Sequence, residues 1–260
     1  MHADPSALRP TLSRPPVPAP SGGEELVRFN LAALYRLAAF YGWESHIYNH
    51  IAARVPGEPC YLVKPHSLMF HEVRASDLLK LRLDGKGVDS TTDVNAAALV
   101  IHTAVLNARP DVHYTVHVHP QAAVAIASLS QPLWPVYQRS MLFYNRLSYH
   151  DFEGLASDID EATRLARDLG PTNKALILRN HGLLTAGPTP GDALTLMRYL
   201  LEACEIQLAL MQTGAEVRIP SPAVCEHTAS EYERVRPSLD AGEWSAYLRQ
   251  ADELDPSFRN

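Results

Sequence analysis

The chain has 260 residues, of which 46% are hydrophobic and 20% are charged, as is typical of a soluble globular protein. No apolar run approaches the roughly 18 to 20 residues that span a bilayer, which excludes a transmembrane protein and a membrane partner. The 23 basic and 29 acidic residues give a formal net charge of -6, which argues against a nucleic-acid partner.

The three cysteines are widely spaced along the chain, at Cys60, Cys204 and Cys225. An odd number at this spacing fits neither a disulfide framework nor a Cys-x-x-Cys zinc site. Free thiols are typical of a reducing compartment, so the sequence predicts a cytoplasmic location.

The N-terminal segment is rich in proline, which supplies six of the first twenty residues. Proline at this density forms neither a helix nor a central strand. Residues 1–22 are therefore predicted to be a disordered leader, and residues 23–260 to form one domain.

Helix and strand patterns alternate along the whole of that domain. In chain order the sequence predicts a helix over 26–40, strands at 60–63 and 79–84, a helix over 93–104, a strand at 113–119, helices at 120–129 and before Gly170, a strand at 175–178, and helices over 190–213 and 230–249. Connections such as the turn after Asp84 are too tight for helical crossovers, which favours an α/β fold with a mostly antiparallel or mixed sheet.

The first candidate site is the predicted strand that ends at His117-Val118-His119-Pro120. Side chains two residues apart share one face of a strand, so His117 and His119 point the same way. Two such imidazoles can converge on one cation where the strand ends. His-x-His alone is a weak signal, and structural or surface histidines are the more common explanation.

A third histidine follows another buried strand, in the segment Asn180-His181-Gly182. The glycine permits a sharp turn, and the asparagine can fix the imidazole or its turn. Two such strand ends side by side would bring His117, His119 and His181 to one ion. Three nitrogens with an open fourth position are typical of catalytic zinc, and iron(II) or manganese(II) would accept the same donors.

Several segments resemble the class II aldolase/adducin N-terminal domain family, over roughly residues 25–260. The similarity lies in Tyr48 to Gly57, Val94 to Ala98, His102, Ala108 to Asp111, His117 to His119, Ser148 to Asp151, Leu178 to Gly182, and Asp255 to Arg259. The resemblance implies a three-layer α/β/α domain around a mostly antiparallel central sheet. It also implies a divalent ion, usually zinc, held by His117, His119 and His181, and a homotetramer that acts on a small molecule.

The sequence departs from the family's sugar-phosphate aldolases at the catalytic glutamate, whose position Ala98 occupies. Alanine cannot transfer a proton, and Asp93 nearby is predicted to cap the helix. Two phosphate-binding pairs of the aldolases correspond to His66-Ser67 and Ala96-Ala97. The resemblance therefore does not favour a phosphoketose aldolase, and it leaves the catalytic residue unknown.

The predicted substrate-binding residues are Asn49, His66, Ser67 and Arg139. Asn49 retains the family's residue on the phosphate side, and His66 and Ser67 replace a ligand-holding loop. Arg139 could meet an anionic substrate. His102 is predicted to be a hydrogen-bonded core histidine, and His150 to serve local packing or an interface.

Three functions remain open from the sequence. The leading one is a metal-dependent carbon-carbon lyase, which acts by retro-aldol cleavage or decarboxylation through a metal-stabilised enolate on a small carbonyl, hydroxy-acid or oxo-acid substrate. The second is an iron(II)-dependent oxygenase that uses the same three histidines. The third is a non-enzymatic, adducin-like binding module.

Late aromatic residues, Phe258 among them, are predicted to pack either on their own domain or on a neighbouring subunit. The second arrangement would give a homo-oligomer, with a tetramer expected.

Overall fold

A seven-stranded sheet forms the centre of the computed structural model, which describes residues 17–87, 93–155 and 159–260. The strands are β1 (His50–Arg54), β2 (Cys60–Val63), β3 (Leu79–Arg82), β4 (Tyr114–Val118), β5 (Leu147–His150), β6 (Ala175–Leu178) and β7 (Gly182–Gly187), in the order β3-β2-β1-β4-β7-β6-β5. Residues 1–16 of the predicted leader lie outside the described residues, so its disorder stays a prediction.

The sheet is mixed, which is the second of the two arrangements that the sequence predicted. Every pairing is antiparallel except that between β5 and β6. Helix α4 (Ile159–Leu169) connects these two strands, and parallel neighbours need such a crossover because a tight turn reverses the chain. Strand β5 was not predicted from the sequence, so its parallel pairing with β6 was not predicted either.

Helices cover both faces of the sheet, which confirms the predicted three-layer α/β/α architecture. Helices α2 (Ala96–Ala108) and α4 pack on one face, and α1 (Gly23–Phe40), α3 (Gln121–Ala127), α5 (Pro190–Thr213) and α6 (Pro222–Leu254) cover the other. Alternating side chains of each strand fill the two cores, so that Val116 of β4 faces α1 and α5. Among the described residues, no helix is long and apolar enough to cross a membrane.

Helix α2 begins three residues later than the sequence predicted, and its cap is a different residue. The side chain of Asn95 accepts a hydrogen bond from the Ala97 amide at 2.9 Å. Asp93 instead accepts hydrogen bonds from the backbone amide and hydroxyl of Ser67. Hydrogen bonds to the Asp93 carboxylate therefore connect the loop after β2 to the segment before α2.

The C-terminal residues pack on the chain's own first helix. Phe258 is fully buried, and its ring centroid lies 5.3 Å from that of Phe29 in α1. Asp255 forms an ion pair with Arg36, also in α1. Phe258 thus packs on its own domain, which is one of the two predicted arrangements. The C-terminal tail gives no evidence for a contact between subunits.

Candidate metal centre

Three predicted metal ligands lie together at one end of the central strands. His117 is the penultimate residue of β4, His119 follows that strand directly, and His181 precedes β7. Because β4 and β7 are antiparallel neighbours with Val118 opposite Leu183, the end of one strand meets the beginning of the other. The topology of the sheet therefore brings together histidines that are more than 60 residues apart in the sequence.

The three imidazoles have the spacing that one small cation requires. Their ring centroids lie 4.5 to 4.8 Å apart, and one candidate ligand atom from each lies within 4.8 Å of the others. His117 Nε2 and His119 Nε2 are 2.7 Å apart. Nitrogens bound to one tetrahedral zinc ion lie about 3.3 Å apart, given zinc–nitrogen distances of about 2.0 Å. Small ring rotations would bring the three nitrogens to that spacing.

A backbone carbonyl sets the orientation of the buried ligand His117. Its Nδ1 lies 3.0 Å from the carbonyl oxygen of Leu183 in β7. A carbonyl oxygen only accepts hydrogen bonds, so Nδ1 carries the proton and Nε2 directs its lone pair towards the other two rings. This second interaction of a histidine ligand is typical of metal sites, where it fixes the ring and its tautomer.

Gly182 is required by the close approach of His119 rather than by a turn. A Cβ atom at Gly182 would lie 2.5 Å from Cδ2 of His119 and 2.6 Å from the carbonyl oxygen of Val118. The left-handed residue of this turn is Asn180, with φ of 56°, a conformation that asparagine tolerates well. The turn was predicted from the sequence, but its left-handed conformation was expected at Gly182 and lies at Asn180.

Two further histidines lie behind the three candidate ligands. His50 of β1 stands opposite His117 in the sheet, and the two ring centroids are 4.9 Å apart. His50 Nδ1 lies 2.8 Å from His102 Nε2, and His102 Nδ1 lies 2.7 Å from the Thr115 hydroxyl. His102 is thus the hydrogen-bonded core histidine that was predicted. His50 was not singled out, because its proximity to His117 depends on the β1–β4 register.

Burial lowers the pKa values of all five histidines. The pKa falls to about 3 for His102 and about 4 for His119, and it falls well below the usual range for His50 and His117. The pKa of His181 is also lowered, first by burial and then by the charge of His150. The rings are therefore uncharged at neutral pH, which is the form that binds a metal.

The loop after β2 contains two predicted substrate-binding residues. Ser67 is exposed and is held by Asp93, whereas His66 Nδ1 is buried without a hydrogen-bond partner among the described residues. Asn49, a third predicted residue, donates from Nδ2 to the carbonyl oxygen of Trp43 at 2.5 Å. Its Oδ1 is likewise buried and has no partner in the described part of the chain.

A buried lysine that the sequence analysis missed holds this loop in place. Lys64 Nζ lies 2.7 to 3.4 Å from the carbonyl oxygens of Ile47, Pro65, His66 and Leu68. Burial lowers the pKa of Lys64 to about 8. The dipeptide Lys64-Pro65 is not a recognisable sequence motif. The contacts of its ammonium group with four carbonyl oxygens could therefore not be predicted from the sequence.

The remaining predicted positions differ in their surroundings. Ala98 is buried in the apolar core between α2 and the sheet, one helical turn before His102. Arg139 forms an ion pair with Glu202 at 2.8 Å and stacks on Tyr199, both in α5. Helix α5 covers the face of the sheet opposite α2, so the described contacts of Arg139 do not bring it to the histidines.

Comparison with known proteins identifies the same family over most of the chain. The family model described as Class II Aldolase and Adducin N-terminal domain matches residues 29–208. A protein of Pseudomonas aeruginosa named "Putative aldolase class 2 protein" is 40% identical over 244 residues, which cover 92% of this chain and 94% of that protein. Alpha-adducin of Rattus norvegicus is 40% identical over 196 residues, which cover 74% of this chain but 26% of the adducin.

Solved structures agree with this assignment. The crystal structure of an aldolase II superfamily protein from Pseudomonas syringae has a TM-score of 0.85 and 37% identity, and it covers 93% of this chain and 98% of its own. L-fuculose 1-phosphate aldolase from Glaciozyma antarctica has a TM-score of 0.76 and 27% identity, with 95% and 97% coverage.

Replacing Gly182 by alanine should weaken metal binding, because the new methyl group displaces the ring of His119. We expect at least a tenfold loss of zinc affinity, the scale on which changes around metal ligands act, as measured by competition with a chromophoric chelator. The control Gly242→Ala lies on an exposed stretch of α6 with nothing within 4 Å of the added Cβ. Equal zinc affinity in both variants would contradict the close-approach role of Gly182.

The metal-free protein should lose stability as the pH falls from about 6.5 to about 4. Within this range the histidines of the unfolded chain bind protons, whereas those of the folded protein stay neutral because their pKa values are lowered. The free energy of unfolding therefore decreases with falling pH. His119→Gln should reduce the slope by about one proton, or ~1.4 kcal/mol per pH unit, in urea titrations with a chelator present. The exposed His227→Gln serves as the control, and identical slopes in both variants would refute the assignment.

Proposed function

This chain belongs to the class II aldolase and adducin N-terminal domain family, and we propose that it is a metal-dependent enzyme which breaks a carbon-carbon bond in a small carbonyl, hydroxy-acid or oxo-acid substrate. The convergence of His117, His119 and His181 as uncharged imidazoles carries this proposal. Three nitrogen donors leave a coordination position for substrate, which is the catalytic arrangement. A bound divalent cation supplies a Lewis acid that polarises a carbonyl oxygen.

The loop that carries His66 is the proposed substrate-binding element. Asn49 Oδ1 and His66 Nδ1 are buried polar atoms without a partner in the described residues, and such atoms are exceptions in folded proteins. Polar groups of a substrate would satisfy them. Arg139 is left out of this proposal, because its charge is already paired with Glu202.

The residue at position 98 bears on the choice between decarboxylation and retro-aldol cleavage. With alanine there, α2 contributes no carboxylate, because none of the residues from Ala96 to Ala108 is acidic. Decarboxylation of an oxo acid begins with loss of carbon dioxide and needs no base at that step. Retro-aldol cleavage needs a proton acceptor, which must come from outside α2.

Two alternatives share parts of this evidence. The same three nitrogens would accept iron(II) or manganese(II) instead of zinc, and with iron(II) the site would suit oxygenase chemistry. A non-enzymatic binding module is favoured by the 40% identity to alpha-adducin together with Ala98. Zinc-dependent lyase activity remains the leading proposal, because a binding module has no need of an open metal site.

Metal loading separates these functions. We expect the chelated protein to take up one zinc ion, as measured by elemental analysis after dialysis, and His119→Ala to take up none. The control His113→Ala removes an exposed histidine just before β4 and should bind zinc normally. The zinc-, manganese- and iron-loaded proteins are then incubated with a panel of 2-oxo acids, 3-oxo acids and ketoses.

Release of an aldehyde or of carbon dioxide by the zinc protein would support the lyase. Oxygen uptake by the iron protein would instead assign the oxygenase. Full zinc retention by His119→Ala, or a wild-type chain that binds no metal, would overturn the metal centre and leave the binding module.

The proposal includes a cytoplasmic homotetramer. The free thiols of Cys60, Cys204 and Cys225 fit a reducing compartment. Exposed apolar side chains on α1 and α6, such as Phe40, Val224 and Leu254, are available to subunit contacts. Light scattering at micromolar concentration should give about four times the 28.7 kDa mass of one chain, and a monomer mass would contradict the assembly.

A further inference from the structure

A second cluster of buried titratable side chains lies beside the three histidines. His150 ends β5, and Glu161 and Asp168 lie on α4. His150 and Glu161 are only 3% and 6% exposed. Burying charged groups is costly unless they are paired. His150 is paired with Asp168 through one ring nitrogen, whereas its other ring nitrogen has no hydrogen-bond partner among the described residues.

The sheet register connects this cluster to the candidate metal centre. His150 stands opposite Leu178 in the parallel pair of β5 and β6, and its carbonyl accepts a hydrogen bond from the Arg179 amide at 2.8 Å. His181 follows two residues later. A cavity of about 10 Å³, which is the size of one water molecule, is lined by His181 together with His150, Glu161 and Ile101. The cluster and one of the three candidate metal ligands therefore border the same small space.

The hydrogen bonds of the cluster determine where its protons lie. His150 Nδ1 is 2.7 Å from the carboxylate of Asp168, which accepts a hydrogen bond from the ring N–H. The opposite nitrogen, Nε2, is buried without a hydrogen-bond partner among the described residues, and it lies 3.6 Å from Glu161 Oε1. Burial raises the pKa of Glu161. The Glu161 carboxyl group therefore faces an imidazole nitrogen with which it can exchange a proton.

We propose that Glu161, held by His150 and Asp168, is the proton-transfer residue of the three-histidine site and replaces the carboxylate that Ala98 lacks. The inference rests on the proposed function, and it deepens that function by supplying the missing acid–base group. Helices α2 and α4 pack side by side, so a carboxylate on α4 reaches the pocket that Ile101 of α2 also lines.

In retro-aldol cleavage the Glu161 carboxylate takes the proton of the substrate hydroxyl. The electron pair of that O–H bond forms the new carbonyl, and the carbon-carbon bond breaks with its electron pair on the departing fragment. The Glu161 carboxyl then returns the proton to that carbon and is again a carboxylate. In decarboxylation only the second transfer, from a protonated Glu161, is needed. In both cases His150 acts through Glu161 and is a positioning residue.

Several titratable or charged groups lie around Glu161. His150 from β5, Glu153 from the loop after β5 and Arg164 from α4 influence its titration directly. Arg179 and His181 from the β6–β7 turn line the same pocket, and Asp168 from α4 is paired with His150. An anion at the metal centre would add a negative charge to this set. Because a nearby negative charge disfavours a carboxylate, Glu161 should take up a proton when such an anion binds.

Oxalate, a planar dianion that chelates zinc, is the probe for this coupling. Its binding to the zinc-loaded full chain is measured by calorimetry between pH 5 and 8 in buffers of different ionisation enthalpy, which counts the protons taken up. We expect wild type to take up more protons than Glu161→Gln. In the control Glu153→Gln the uptake should remain and move to lower pH, because a neighbouring negative charge is lost.

The outcomes separate this inference from the proposed function. Equal proton uptake by wild type and Glu161→Gln, with normal zinc content in both, would overturn the role of Glu161 and leave the metal centre intact. A zinc-loaded wild type that does not bind oxalate would overturn both. If Glu161→Gln fails to fold, Glu161→Asp is used instead. That variant should keep the uptake with a shifted pH profile, and an unshifted profile would contradict the inference.

Discussion

Mutual desolvation of five imidazole rings is the constraint on which the rest of this structure depends. His50, His102, His117, His119 and His181 are close enough that two or more charged rings would repel each other strongly in a low-dielectric interior. Burial keeps them neutral, and the carbonyl of Leu183 assigns the tautomer of His117. Neutral imidazoles are also the form that binds a metal, so the burial that the fold imposes suits the proposed metal centre.

The proposed metal ligands and the proposed substrate-binding residues lie on parts of the fold that differ in rigidity. The candidate metal ligands belong to β4 and to the tight turn before β7, where backbone hydrogen bonds and the missing side chain of Gly182 fix their positions. The proposed substrate contacts belong to the loop after β2, which a single buried ammonium group, Lys64, holds through backbone carbonyls. Chemistry common to a family would therefore reside on strands, while substrate choice would vary with a loop.

Much of the architecture could be predicted from the sequence, because it depends on local patterns. The cap at Thr189 with Pro190 begins α5 as its residue types indicate, and strand periodicity placed His117 and His119 on one face. The parallel β5–β6 pair could not be predicted, since it depends on which strand neighbours which. His50 and Glu161 were missed for the same reason. His50 lies in a segment that resembles the family and Glu161 in none, but each meets its partners only through the sheet register or through helix packing.

We propose that three imidazole nitrogens, and no further protein ligand, hold one divalent cation in this chain. X-ray absorption spectroscopy at the zinc edge of the zinc-loaded protein tests this proposal, because the outer-shell scattering of imidazole rings is countable. We expect three imidazole nitrogens at about 2.0 Å with the remaining ligand an oxygen from solvent, and two imidazoles in His181→Ala. A sulfur ligand, a fourth imidazole, or an unchanged spectrum in His181→Ala would contradict it.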